Sequence, residues 1–217
     1  MKTKLCIFDL DGTLLNTIDD ITNSMNRVLG ANGYPLHDAQ WYKEKVGNGA
    51  RKLMLDALPE DHNLSDADVD KLLNTYKDDY HNNCAVLSAP YAGIPELIDR
   101  LVEAKLKLAV ITNKPQSITE TLLKKYFEGI DFVAVYGDTP GKPIKPDPRV
   151  ADIVLSAAGV TPDQTVFIGD SEVDMTFAKR SSLFAIGVLW GYRNRSIIEE
   201  SGAEVIVDEP AQIIEYI

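Results

Sequence analysis

From residue 94 to residue 207, short apolar runs of strand length alternate with segments of helical period. That alternation constrains the fold more than any other feature of the chain. Apolar spacing of helical type marks 94–104, 117–127, 149–158, 173–181 and 196–201. Continuous apolar runs mark 106–112, 132–136, 165–168, 184–189 and 205–207. One more run, Leu5-Cys6-Ile7-Phe8, precedes them and ends at Asp9-Leu10-Asp11-Gly12. Strands separated by helices need crossover connections, so they pair in parallel, and a sheet covered on both faces reads as unbroken apolar strands. The expected class is α/β: a doubly wound, mostly parallel, Rossmann-like sheet.

The texture differs between the first run and the rest. Ile18, Ile21, Met25, Val28 and Leu29 recur at helical spacing up to Gly30. Further amphipathic patterns cover 52–58 and 69–80, and Gly47-Asn48-Gly49 interrupts them as a loop. No strand pattern occurs in this stretch. The organisation expected is a core domain of residues 1–15 and 86–217, with a small all-helical cap of residues 16–85 inserted after the first strand. Asn16 stands where it could cap the first cap helix. There is no internal repeat.

Composition excludes several classes of protein. The chain has 217 residues, of which 45% are hydrophobic, enough for a real core. Its formal net charge of −11 repels phosphate backbones and anionic lipid, so neither nucleic acid nor a membrane is an expected partner. No apolar run approaches the length of a membrane span, and the one after Met1-Lys2-Thr3-Lys4 is shorter than a signal peptide needs, so none is expected. Two distant cysteines make no disulfide scaffold, and Cys6 reads as a small buried hydrophobe. The expected setting is the cytoplasm. His37, His62 and His81 lack ligand spacing and read as surface residues. Nothing in the sequence specifies an oligomeric state.

In open α/β sheets, ligands bind beyond the carboxyl ends of the strands. The residues just past each run are therefore informative: Asp9-Leu10-Asp11-Gly12-Thr13, then Thr112-Asn113, then a loop holding Lys142 and Lys145, then Gly169-Asp170-Ser171 with Asp174 one turn into the next helix. Carboxylates gathered at one sheet edge repel one another unless a cation joins them. Oxygen ligands without His or Cys favour Mg²⁺, which keeps waters and shares phosphate oxygens. An aspartate can act as nucleophile and carry an aspartyl-phosphate. A second carboxyl two positions on shares its side of the chain and can act as general acid and base. Thr112 and Lys145 suit the transferring phosphoryl oxygens. Lys145, before Pro-Asp-Pro and a helix, is better placed for that role than Lys142 beside Gly141.

The segments Asp9-Leu10-Asp11-Gly12-Thr13-Leu14, Thr112-Asn113, Lys145-Pro146-Asp147-Pro148 and Gly169-Asp170-Ser171-Glu172-Val173-Asp174 resemble the four motifs of the haloacid dehalogenase (HAD) superfamily, in order and across the whole chain. The helical insertion resembles that superfamily's small cap. Trp190-Gly191-Tyr192-Arg193 and the region of Gly202-Ala203-Glu204 resemble its phosphoglycolate phosphatase-like branch. The resemblance implies an HAD core and these roles: Asp9 as nucleophile and Mg²⁺ ligand, and Asp11 as acid/base with its backbone carbonyl on the metal. Thr112, Asn113 and Lys145 would bind phosphate. Asp170 would be the third protein ligand, with Asp174 and Ser171 supporting the metal from behind.

The branches differ at single residues. Asp11 argues against a true dehalogenase, which by resemblance lacks that acid. Gly169 stands where mutases carry an acidic residue. Lys43, Lys45 and Lys52 leave phosphonate cleavage through a Schiff base open. In the cap, Asn48 and Arg51 are the substrate-facing candidates, Arg51 because its fork suits a carboxylate. The expected activity is Mg²⁺-dependent hydrolysis of a small phosphorylated metabolite, 2-phosphoglycolate first. The alternatives are another sugar phosphate, a nucleoside monophosphate, pyrophosphate, a mutase reaction, or a protein that only binds a partner.

Overall fold

The computed structural model describes residues 3–217, so Met1 and Lys2 of the expected core segment lie outside it. Six parallel strands form the main sheet: β1 (Leu5–Phe8), β4 (Lys107–Pro115), β5 (Phe132–Asp138), β6 (Thr165–Gly169), β7 (Phe184–Val188) and β8 (Val205–Val207). The spatial order is β5-β4-β1-β6-β7-β8, with β1 in the middle between β4 and β6. All four residues of β1 are buried, as a central strand covered on both faces requires. The chain first winds outward from β1 on one side and then on the other, so the strand order reverses at β1. This is the position where a doubly wound sheet opens a crevice. The core helices are α5 (Ile94–Glu103), α6 (Gln116–Tyr126), α7 (Arg149–Ala158), α8 (Glu172–Arg180) and α9 (Arg195–Glu200). Two apolar clusters cover the sheet, one of which continues into the helical segment.

Helices α1 (Ile18–Ala31), α2 (Ala39–Lys45), α3 (Ala50–Ala57) and α4 (Asp66–Asn83) fill the stretch between β1 and the rest of the sheet. They pack through Ile21, Met25, Leu53, Val69 and Tyr76, all buried. The Asp20 carboxylate, itself buried, accepts the backbone N–H groups of Val86, Leu87 and Ser88. This ties the returning chain to the first helix.

Three local expectations need correction. Helix α1 does not stop at Gly30 but runs one residue further. Asn16 does not cap it: Thr17 is the N-cap, and Asn16 lies in a two-residue strand, β2 (Leu15–Asn16), paired antiparallel with β3 (Ala89–Pro90). Helix α2 has only seven residues, too few for a periodic signal, and the Asp38 side chain caps it. His37 is not simply a surface residue, since its ring stacks on Trp41 at 3.9 Å and meets the Ala57 carbonyl. Cys6 and Cys84 are buried and free. No helix among the described residues is long and apolar enough to cross a membrane.

Candidate active site

The site forms where β1, β4 and β6 end. The Asp9 N–H donates to the Ile168 carbonyl at 2.9 Å, which continues the β1–β6 pairing and fixes where its carboxylate stands. The chain then turns through Gly12, whose φ of +87° is left-handed. No side chain could replace it, because a Cβ there would lie 2.2 Å from an Asp170 oxygen. Asp170 ends β6. Its oxygens accept from the Thr13 hydroxyl at 3.0 Å and the Tyr192 N–H at 2.8 Å. Ser171 caps α8, and a reciprocal capping box joins it to Asp174.

Lys145 joins these acids. Its side chain is 2% exposed, and Nζ donates to Asp9 at 2.7 Å and to Asp174 at 2.6 Å. Asn113 holds its backbone from both sides: the amide oxygen accepts the Lys145 N–H at 2.8 Å and the amide nitrogen donates to its carbonyl at 2.9 Å. Asn113 also donates to the Gly47 carbonyl in the helical segment, at 2.8 Å. Burial alone would lower the Lys145 pKa, but the charges of Asp174 and Asp9 outweigh it and push it up to about 12. The ammonium is therefore a permanent cation.

The carboxylates behave oppositely. Burial, opposed by Lys145 and reinforced by Asp174 and Asp11, pushes Asp9 up to about 7. Burial and the charges of Asp174 and Asp9 raise Asp170 well above the usual carboxylate range. Ligand oxygens of Asp9, Asp170 and Asp174 lie within 4.8 Å of one another. Three buried acids against one lysine leave an excess of negative charge. The all-oxygen donor set suits a hard divalent cation.

Asp11 occupies the other wall. Its Oδ1 accepts from the Thr17 hydroxyl at 2.6 Å and from Lys114 Nζ at 2.8 Å, and Oδ2 from the same Nζ at 3.0 Å. Asp9, Asp11, Thr112, Asn113, Lys145, Asp170 and Ser171 all line one cavity. Helices of the insertion supply its apolar wall through Ile21, Leu53, Tyr76 and Tyr80.

Two substrate-facing candidates lie elsewhere. Helix α3 begins at Ala50 and turns Arg51 outward, where it pairs with two exposed acids of α4, Asp66 at 2.9 Å and Asp70 at 3.2 Å. Asn48 is exposed and does not line the cavity, although Gly47 and Gly49 do. Lys142 is exposed, whereas Lys145 is buried. None of Lys43, Lys45 and Lys52 lines the cavity. At Gly169 a Cβ would come within 2.4 Å of Asp174, so the mutase-type acid has no space there.

Sequence reasoning misses Lys114, Tyr80 and Thr17, and gives Tyr192 and Arg193 no role. Lys114 sits two residues after Thr112 on a strand, and a period of two already puts both on one side. Arg193 is 8% exposed; it pairs with Glu172 at 2.7 Å and donates to the carbonyls of Val46, at 2.8 Å, and Lys43. It therefore bolts the loop before α3 to the core. Trp190 and Tyr192 reach the turn that follows Asp9, through the Thr13 carbonyl at 2.9 Å and the Thr17 N–H at 3.1 Å.

Comparison with known proteins agrees with this geometry. A model of the haloacid dehalogenase-like hydrolase family matches residues 6–188. An N-acetylmuramic acid 6-phosphate phosphatase of Pseudomonas aeruginosa is 33% identical over 219 residues, covering 100% of this chain and 96% of that protein. A phosphoglycolate phosphatase of Mesorhizobium japonicum is 31% identical, covering 99% and 95%. The crystal structure of a predicted phosphoglycolate phosphatase from Haemophilus somnus superposes with a TM-score of 0.91 at 28% identity, covering 100% of this chain and 98% of that one. The chain belongs to the haloacid dehalogenase-like hydrolases, and within them it is a phosphatase.

Proposed function

We propose that this phosphatase is Mg²⁺-dependent and cytoplasmic, that it works through an aspartyl-phosphate on Asp9, and that its substrate is a small phosphorylated carboxylic acid, phosphoglycolate first. The observation that carries the reading is the placement of Asp9. It is a buried carboxylate at the end of the central strand, 2.7 Å from a buried lysine and beside two further acids. A structural ion pair needs one acid; three acids and one lysine suit a site built to share a cation with a phosphate.

Asp9 and Asp170 would hold Mg²⁺ directly, with Asp174 steering from behind because its oxygens already accept from Lys145 and Ser171. When bound, the cation neutralises the clustered carboxylates and the phosphoryl oxygens. The Asp9 carboxylate attacks phosphorus and the ester P–O bond breaks. Asp11, which has to take up a proton from solvent as it leaves Lys114, gives that proton to the departing oxygen, so the alcohol leaves neutral. Asp11, now a base, takes a proton from the water that attacks the aspartyl-phosphate. Inorganic phosphate leaves and Asp9 is regenerated. Lys145 offsets charge on the phosphoryl oxygens throughout.

The relatives' names divide between phosphoglycolate and N-acetylmuramic acid 6-phosphate. The carboxylic-acid class is preferred because the cavity carries lysine and arginine side chains, Lys114, Lys145 and Arg193, beside its carboxylates. The cytoplasmic setting rests on two buried thiols left unpaired. The test is phosphate release from p-nitrophenyl phosphate, phosphoglycolate, N-acetylmuramic acid 6-phosphate, other sugar phosphates, nucleoside monophosphates and pyrophosphate, with Mg²⁺ and with EDTA. Metal-dependent turnover with phosphoglycolate ranked first supports the reading. Metal-independent turnover contradicts the Mg²⁺ assignment, and absence of turnover on every ester favours a protein that only binds a partner.

A further inference from the structure

Three cations line the cavity, and two of them have fixed partners whatever the substrate. Lys145 is committed to Asp9 and Asp174, and Arg193 to Glu172 and the loop carbonyls. Lys114 is different. Its ammonium rests on Asp11, the one carboxylate that must move toward the ester oxygen for the reaction to proceed. Both Asp11 oxygens are engaged by it, at 2.8 and 3.0 Å. The Lys114 side chain is only 2% exposed, so once Asp11 turns away it has little water to replace that partner. A buried charge left without a counter-charge is strongly unfavourable. Another anion has to take the place that Asp11 vacates.

The surroundings suit a carboxylate. The Tyr80 hydroxyl accepts from Lys114 Nζ at 2.5 Å and keeps its own O–H to donate. The ammonium lies 4.5 Å from the centre of the Tyr80 ring, and Tyr76 stacks on that ring at 5.5 Å and holds it in place. Burial pushes the Tyr80 phenol well up, so it remains a neutral donor. In phosphoglycolate one carbon separates the ester oxygen from the carboxylate. A group touching the acid that protonates the ester oxygen is therefore within reach of that carboxylate.

We propose that Lys114 and Tyr80 form the subsite for a carboxylate on the leaving group, and that the Asp11 carboxylate occupies it in the free enzyme. This rests on the phosphomonoesterase reading and names its substrate class. A substrate with a suitably placed carboxylate frees Asp11 as it binds, whereas a neutral ester of the same length leaves Asp11 held. Selectivity and release of the acid/base group are then one event, and the role expected of Arg51 belongs to Lys114.

The test compares phosphoglycolate with 2-hydroxyethyl phosphate, which has the same chain length and no charge on the leaving group. In the wild type, kcat/KM favours phosphoglycolate. In Lys114→Met that preference falls by about 10- to 100-fold, the worth of a hydrogen bond to a charged group. Lys114→Arg keeps part of it, and Tyr80→Phe loses a few-fold. A second measurement needs no turnover: Asp9→Asn is titrated calorimetrically with both esters in the presence of Mg²⁺, with and without Lys114→Met. The preference in binding disappears in the double variant. An unchanged preference in either measurement overturns the proposal and leaves Lys114 as a support for Asp11 alone. If instead the wild type hydrolyses no phosphomonoester, the reading of the whole site fails, and the two failures are distinct.

Discussion

The two walls of the cavity are built on different principles. The wall at the sheet edge consists of Asp9 and Asp170, set just past strand ends, and Lys145, held by Asn113, and each is within hydrogen-bond reach of a named partner. The wall from the helical insertion is apolar, made of Ile21, Leu53 and two stacked tyrosines, and is set by how helices pack. On the proposed mechanism the first wall would hold the metal and the phosphoryl group, the part that every phosphomonoester shares. The second would then face the leaving group, which alone differs between substrates. On that reading, chemistry rests on fixed polar partners and selectivity on packing; Lys114, Asn113 and Arg193 are polar links between the two walls.

Variants that weaken the first wall should act on all substrates alike. Asp9→Asn removes the nucleophile and should lower kcat by at least about 10³-fold on both p-nitrophenyl phosphate and phosphoglycolate. Lys145→Met should cost about 10²- to 10³-fold in kcat, again without preference between substrates. A loss confined to one substrate would break the division between the walls.

Metal binding offers a pH test of the same wall. The Asp9 pKa is raised to about 7, chiefly by burial, with Asp174 and Asp11 adding to the effect and Lys145 opposing it. Asp170 is raised as well. Below pH 7 the Asp9 carboxyl holds a proton that a cation has to displace, and above it that carboxyl is free; the upward shift of Asp170 acts in the same direction. Calorimetric Mg²⁺ affinity should therefore rise from pH 5.5 to 7, by roughly tenfold per pH unit for the proton displaced from Asp9. An affinity flat from pH 5.5 to 8 would contradict the burial argument.

Smaller effects are expected where the walls are joined. Arg193→Ala releases the loop carbonyls of Lys43 and Val46 and should lower kcat/KM by about 3- to 10-fold, mainly through KM, because cap closure is weakened and not the chemistry. Arg51→Ala and Lys142→Ala, both on exposed side chains, should change steady-state kinetics by less than about twofold.

Legibility in the sequence divides along the same line. Strand ends are legible because an apolar run stopping at Asp-x-Asp or Gly-Asp-Ser marks position and chemistry together, so Asp9, Asp11, Lys145 and Asp170 can be placed from spacing and order. Cap residues carry no such mark. Arg51 comes after a glycine-broken loop, as a ligand might, but the angle at which α3 leaves that loop turns it toward Asp66 and Asp70. Tyr80 reads as one apolar position among many on α4, and only its packing brings its hydroxyl to Lys114. Thr17 and Arg193 act through contacts 175 and 147 residues away in sequence, which no local pattern can report. Lys114 alone is within reach of a local pattern, through its strand spacing from Thr112.

The account turns on Asp9 carrying the phosphoryl group. In Asp11→Asn the base that activates water is gone, so an aspartyl-phosphate, once formed, should persist. The variant is mixed with phosphoglycolate and Mg²⁺, quenched in acid within one turnover, digested, and its peptides are analysed by mass spectrometry. One phosphoryl group on the peptide that contains Asp9, absent when EDTA is present and absent in Asp9→Asn, is the predicted result. A variant that releases phosphate while the Asp9 peptide stays unmodified, or that carries the label on another residue, would contradict it.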